Sequence, residues 1–511
     1  MPSSSSKLLE GLDSAVSELL LGVDIGTTGT KLTLFDPERG VVASKSGSSP
    51  LFSPEAGWSE ADTSVWWDNL CALVPNVAEA AGIRPSEIAG LASSGMVPAV
   101  VLLDNEGNVL RRAILQNDSR AVEEIGELAA VLEGQNYDVL ASTGSALTQQ
   151  SVAPTWRWLT GHEPEVARRT AAMVGSYDWL AIALGADVHV ESNWALESGL
   201  YELSGARAET VIAASGLPDS LCAPILRPGE VAGFVSKAAA EATSLKEGIP
   251  IYVGGADHVL AAYAAGLNAP GDWLVKLGGA GDILVVTDVP AIDRRWYLDA
   301  HPQPGLWLPN GCMATSGSLL RWVQHLVGDP SLAELDSEAD AASPASLICL
   351  PYFLGEKSPL HDPDLRGVLV GLHLGHTRGD LFRACMEATG FGFKNHVEAF
   401  ADGGITLLSA KVSNGGSGSH VWKQILADVL GVELSSLVDH GGASLGAALV
   451  AGVGSGALSG WEAVANYVAI GEVISPNEKN VEIYEEAYQM YLELQQTATP
   501  VAHRLARRSR A

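Results

Sequence analysis

The sequence predicts an α/β chain of two related domains. Its 511 residues are 47% hydrophobic, and that length lies well beyond the roughly 250 to 300 residues at which single cores stop growing. Strand-like apolar runs alternate with alanine-rich helical ones, as in IAGLASSG followed by AVVLLD, and IPIYVGG followed by VLAAYAAGL. One unusual layout also occurs twice. Leu19 to Asp36 and Trp273 to Asp288 each place a glycine-rich turn between two apolar runs, so each reads as a hairpin with a bare-backbone tip.

In chain order, residues 1–18 form a serine-rich tail and lead-in, and residues 19–248 the first domain. The turn KEGIP near residue 248 marks the break. Residues 249–498 form the second domain, where VSNGGSGSHVWKQILADVLG gives strand, glycine turn and helix, and HGGASLGAALVAGVG another glycine turn opening a small-residue helix. Tyr484, Tyr488, Tyr491 and Leu494 recur at helical spacing, a pattern of core packing. Residues 499–511 make a basic tail, expected to be a disordered, solvated end.

A formal charge of −29 excludes nucleic acid and anionic membranes as partners. Any phosphate-bearing ligand must then be small and met by local amides, cations or a metal. Cys71, Cys222, Cys312, Cys349 and Cys385 show no CxxC spacing and read as reduced thiols. Glu10, Asp13 and Glu18 interrupt the N-terminal apolar pattern, so it lacks the centre of a signal peptide, and no run reaches the roughly 18 apolar residues of a span. A cytoplasmic protein is expected.

The two hairpin tips carry the first chemistry. Amides at a glycine tip can point at an anion with no Cβ in the way, so one such tip per half predicts a nucleotide clamped between the domains. Asp24 ends an apolar strand before Gly26, Thr27, Thr28, Gly29 and Thr30, with Lys31 following. This is neither a Walker A loop nor a dinucleotide fingerprint, since no helix opens there. Asp257 follows IYVGGA at the mouth of a helix, where it could cap the helix or act as a base; its strand-end position favours the base. Gly278, Gly279 and Gly281 offer only amides and room. Asn414, Gly415, Gly416 and Ser417 precede a helix whose N-terminus could meet an anion or a base, or be capped by Ser417 or Ser419.

These stretches resemble the FGGY carbohydrate kinases over nearly the whole chain. The block from Leu350 to Phe400 is similar to the family's second signature, with Gly355, Glu356, Pro359, Asp362, Pro363, Arg366, Gly367, His376, Thr377 and Glu387 at matching places. GWSEADTSVWW at Gly57 to Trp67 resembles the family's GWxExDPxxWW, and the turn ending in Asp257 and the run from Gly415 to Gly431 match as well. The resemblance implies two ribonuclease H-like domains of the actin-like ATPase type with a cleft between them. ATP and Mg2+ would lie in that cleft, a small-molecule sugar would be phosphorylated at a primary hydroxyl, and a homodimer would be the assembly. Position by position, it implies Asp257 as general base and Asp24 at the metal-bound phosphates, both meeting the metal directly or through water. Thr27, Thr28 and Lys31 would line the first phosphate hairpin and Gly278, Gly279 and Gly281 the second. Gly317, Gly415, Gly416 and Ser419 would bound the adenosine.

Within the family, three stretches are most similar to xylulokinases: GWSEADTSVWW, SSGMVPAVVLLD and LQNDSRA. They imply D-xylulose as acceptor, with Met96, Asp118, Arg120, Asp257 and His258 as its contacts. Three departures are visible. Pro98 stands where a sugar-contacting histidine is expected, His258 where asparagine is frequent, and Gln116 replaces the tryptophan of WxDxR. Proline offers no side-chain donor, so the phosphotransfer residues read as intact and the sugar pocket as altered. Ribulose, erythritol, glycerol, a silent sensing relative and an actin-like ATPase are the alternative readings.

Overall fold

The computed structural model describes residues 18–438 and 440–510. The expected tail at residues 1–17 lies outside them. Two sheets organise the chain. The first contains β1 (Leu19–Ile25), β2 (Gly29–Asp36), β3 (Gly40–Ser48), β4 (Ile88–Gly95), β5 (Val231–Phe234) and β6 (Pro250–Ala256), in the order β5-β6-β4-β1-β2-β3. The second contains β7 (Asp272–Leu277), β8 (Gly281–Val285), β9 (Tyr297–Ala300), β10 (Trp307–Met313), β11 (Ser409–Ser413), β12 (Leu434–Leu437) and β13 (Ile470–Ile474), in the order β9-β10-β8-β7-β11-β12-β13.

The two orders are one plan used twice. In each sheet three strands run as an antiparallel meander, two more join in parallel, and one antiparallel strand follows. β9 extends the second sheet beyond its meander. Both expected hairpins form: β1 and β2 pair through Asp24↔Lys31 and Ile25↔Thr30, and β7 and β8 through Lys276↔Asp282 and Leu277↔Gly281. Their alternating and continuous apolar residues feed one core around Leu21, Val23, Leu91 and Ile251 and another around Val275, Ile283, Val412 and Phe391, while Leu20, Phe35, Ala92 and Tyr252 enter a third.

Helices cover both sheets. Those that place the site are α1 (Thr63–Ala81), α2 (Ser192–Glu197), α3 (Asp257–Ala264), α4 (Gly317–Leu326), α5 (Arg378–Asp402), α6 (His420–Leu430), α7 (Ala443–Ser455) and α8 (Glu478–Arg510). α7 lies between β12 and β13 of the second sheet in sequence yet packs on β1, β4 and β6 of the first and on α3. Small residues allow this crossing. A Cβ on Gly22 would stand 1.8 Å from the Ser444 carbonyl oxygen, and one on Gly446 would stand 2.1 Å from that of Leu260. Thr33 and Ser444 share a hydroxyl contact of 2.7 Å at the same seam.

Two sequence expectations are corrected. Pro250–Ala256 pairs with β4 inside the first sheet, so the break expected at residue 248 would cut that sheet; the chain changes sheet between Ala264 and Asp272. The basic tail is not a disordered end: α8 runs on to Arg510, with Ala502 and Ala506 buried and His503 Nε2 2.7 Å from Asp362 Oδ2. The tyrosine stripe packs as expected, with Tyr484, Tyr488 and Tyr491 fully buried. All five cysteines are free. No helix among the described residues is long and apolar enough to cross a membrane.

Asp118 and Arg120 serve the first core. Asp118 accepts Arg120 Nε and Nη2, each at 2.8 Å, and the Ser59 N–H at 2.6 Å, while Arg120 Nη2 also reaches Glu60 at 2.9 Å. The guanidinium lies 3.9 Å from the Trp58 ring centre. This network joins GWSEAD to LQNDSRA.

Two outcomes follow for stability. Gly446→Val should lower the unfolding free energy by about 1–3 kcal/mol or more through forced displacement of α7, read as a drop in the denaturant midpoint. Arg120→Ala, which leaves the buried Asp118 carboxylate without its cation while Glu60 keeps Arg111, should cost about 3–5 kcal/mol by the same measurement.

Candidate active site

Equivalent strands of the two sheets aim their C-terminal ends at one cavity of about 400 Å³. Its wall takes Asp24 from β1, Val97 just past β4 and Asp257 just past β6. The other half supplies Lys276 from β7, Asn414 just past β11 and His440 beyond β12. These positions lie in the last rungs of a ladder or just beyond it, so six strand ends make a polar crevice between the sheets.

Asp24 is half-buried and accepts the Ser94 hydroxyl at 3.2 Å. Burial and the charge of Asp257 push its carboxyl up to about 7, against the pull of Ser94, Lys31 and Lys276. Asp257 opens α3 without being its N-cap, which is Ala256, and its side chain is 36% exposed to the cavity. Its Oδ1 accepts the His258 N–H at 2.6 Å and lies 3.4 Å from His258 Nδ1. Lys276 Nζ stands 3.0 Å from Asp282 Oδ2 across the second hairpin. Burial works against the Lys276 charge, but Asp282 and Asp257 outweigh it and hold the ammonium above the usual lysine range. The cavity therefore sets two carboxylates from the first half against a fixed cation from the second.

On the far side, His258 Nε2 meets Asp299 Oδ2 at 2.7 Å, and Asn310 Nδ2 donates to the same oxygen at 2.6 Å. Burial opposes a charge on His258, yet Asp299, Asp257 and Glu197 outweigh it and keep the imidazole protonated well above its usual range. Glu197, from the end of α2, is pushed well up by burial and by Asp299. Glu197, His258 and Asp299 bring their polar atoms within 4.8 Å of one another.

The structure unites Asp24, Asp257 and His258 on this wall and leaves other expected residues off it. Lys31 Nζ donates to the Gly441 carbonyl at 2.8 Å, so its cation ties β2 to the turn before α7. Thr27 is half-buried and Thr28 exposed at the hairpin tip, where the Thr28 carbonyl accepts the Ser49 N–H at 2.9 Å. Met96 is buried and gives its carbonyl to the Ser176 hydroxyl at 3.0 Å, while Val97 takes the wall position. Asp118 and Arg120 pair with each other and Arg120 with Glu60, off the cavity wall, while Arg120 Nη1 is buried without a partner.

Among the glycines, packing explains several. A Cβ on Gly281 would meet the Phe393 ring at 2.7 Å, one on Gly317 the Gly278 carbonyl at 2.7 Å, and one on Gly416 the Trp422 ring at 2.4 Å. A Cβ on Gly278 would stand 3.1 Å from the Ala280 carbonyl. Gly279 and Gly415 differ, since a Cβ there would meet nothing within 4 Å. Ser419 is the N-cap of α6, accepting the Trp422 N–H at 3.2 Å.

Several wall residues escaped the sequence reading: Gln150, Glu197, Lys276, Asp282, Asp299, Asn310, Lys357 and His440. Lys276 had a readable signal, a lone cation in the apolar strand WLVKLGG with Asp282 opposite it. Glu197 and Gln150 have none, because only the fold brings them to the cavity.

Models of the N-terminal and C-terminal domains of the FGGY family of carbohydrate kinases match residues 19–264 and 284–455. The crystal structure of xylulose kinase from Rhodospirillum rubrum is similar with a TM-score of 0.88 and 41% identity, covering 95% of this chain and 100% of that one. A structure described as a xyloylose kinase from Brucella ovis gives 0.86 and 26%, over 94% and 100%. Xylulose kinase of Bacillus subtilis strain 168 is 26% identical over 479 residues, 92% of this chain and 95% of its own. The doubled sheet plan is the two-domain actin-like ATPase fold of these enzymes. The chain belongs to the FGGY family of carbohydrate kinases, and the ATP-dependent sugar kinase expected from its motifs is borne out.

Proposed function

We propose that this kinase transfers the γ-phosphoryl group of ATP to a primary hydroxyl of D-xylulose, giving D-xylulose 5-phosphate in the cytoplasm, with a homodimer as the assembly the family resemblance carries. One observation supports the chemistry above all: the Asp257 carboxylate opens into the cavity beside Asp24 and opposite Lys276. The 41% identity to a protein described as a xylulose kinase supports the choice of sugar.

Asp257 accepts the proton of the attacking hydroxyl, a role worth roughly 10² to 10⁴ in rate. Positioning and charge neutralisation carry the larger share, since phosphoryl transfer leaves the protein little covalent work. Lys276, fixed by Asp282, supplies a buried positive charge for the phosphates. The open backbone at Gly279 and Gly415 leaves room for the nucleotide, with Gly278, Gly281, Gly317 and Gly416 shaping the turns around it. Asp24 and Asp257 fit Mg2+, because two carboxylates close enough for one to raise the other's pKa form a hard-oxygen pair with a shared deficit of cation. When bound, that ion would neutralise phosphate charge, directly or through water on these carboxylates.

ADP release measured over a panel of D-xylulose, ribulose, erythritol and glycerol tests the reading. D-Xylulose should stimulate turnover most, and Asp257→Asn should lower kcat by roughly 10² to 10⁴ while ATP affinity is kept. ADP release indifferent to every sugar, or full activity in Asp257→Asn, would overturn it.

A further inference from the structure

α8 carries two apolar stripes, and the second core uses only one of them. Tyr484, Ala487, Tyr488 and Tyr491 turn inward to that core. Beside them run Ile483, Met490, Leu494, Val501 and Leu505, at offsets of 0, 7, 11, 18 and 22 residues, which share one face of a helix turning every 3.6 residues or so. Leu494 is half-buried, but Ile483, Met490, Val501 and Leu505 are exposed by 41, 43, 47 and 54%. An apolar stripe about 33 Å long in water marks a contact surface. The exposed charges along its solvent side are sorted by sign. Glu482, Glu486 and Glu493 stand in the first half of the helix, and Arg504, Arg507 and Arg508 in the last. Among the described residues none of the six makes an ion pair, those of α8 being made by Glu485 and His503 instead.

We infer that this face of α8 binds the same face of a second copy of the chain, the two helices running antiparallel about a two-fold axis level with Gln495. That register sets Glu482 and Glu486 of one copy against the partner's Arg508 and the partner's Arg504, and Met490 against the partner's Val501. A parallel register would bring acid to acid and base to base. A partner bearing one sign of charge would oppose half of the helix. Acid in one half and base in the other is self-complementary, which is what a two-fold contact between identical surfaces requires. The apolar stripe supplies affinity, and the charges set partner and direction. Two chains of −29 repel each other at large, so association needs a local reversal of sign, and the arginine end of α8 provides one. The homodimer expected from the family resemblance thereby gains a surface, one that uses neither the cavity nor the phosphotransfer chemistry.

Sedimentation equilibrium of the full-length protein tests this with two charge-reversed variants, Arg504→Glu/Arg508→Glu and Glu482→Arg/Glu486→Arg. Wild type should dimerise, and each variant alone should dimerise about tenfold more weakly or worse. The second variant lowers the net charge, so bulk repulsion alone would predict the opposite for it. An equimolar mixture of the two variants should form a heterodimer at least as tightly as wild type dimerises, because each then meets the sign it lacks. That recovery also shows that neither variant lost its fold. A wild type that stays monomeric, a dimer that survives either reversal undiminished, or a mixture that fails to associate would overturn the inference. A surviving dimer would leave the homodimer standing and move its contact elsewhere. Sugar-stimulated ADP release reads the kinase assignment separately, so either conclusion can fall without the other.

Discussion

The crossing of α7 onto the first sheet is the constraint on which the site depends. The segment from His440 to Ala443 lines the cavity, and within a turn the chain is pressed against β1 at Gly22 and against α3 at Gly446 by backbone contacts that a Cβ would block. One helix thus builds part of the cavity wall and sets how the second half is registered against the strand that carries Asp24. Lys31 reinforces the seam by holding the Gly441 carbonyl. A glycine-lined contact of this kind transmits position well, because close-packed backbone has no rotamers through which to absorb a shift.

Electrostatics within the cavity follow from that geometry. Asp24 is pushed up because it is buried near a second carboxylate, and Lys276 is held charged because two carboxylates outweigh its burial. Neither group would behave so alone on a strand end. The chain carries −29 overall, so the lysines of the cavity provide a local exception that an anionic ligand would need.

Much of this was legible in the sequence, for physical reasons that differ by element. The hairpins announced themselves because glycine turns between apolar runs have few other uses, and Asp24 and Asp257 because acids at strand ends face ligands. The break near residue 248 misled because IPIYVGG opens a second-looking repeat, yet hydrogen bonding to β4 keeps it in the first sheet. Asp118 and Arg120 are legible only as a pair: a paired acid and base can hold a core together as readily as a substrate, and spacing alone does not tell which. Lys31 reads as a phosphate cation until the carbonyl it binds, more than 400 positions later, is in view. Glu197 was invisible because only the fold brings α2 against β9, where Asp299 and Asn310 meet on neighbouring strands of the second sheet.

In the first hairpin the rung before the turn pairs an incoming Asp24 with an outgoing Lys31, and in the second the same rung pairs an incoming Lys276 with an outgoing Asp282. The repeat has inverted its sign while keeping its shape. Two copies of an ancestral hairpin with identical charges would confront each other as a symmetric mouth, indifferent to which way a ligand entered. Opposite signs give the mouth a polarity, a division of labour in which one lip favours cations and the other anions.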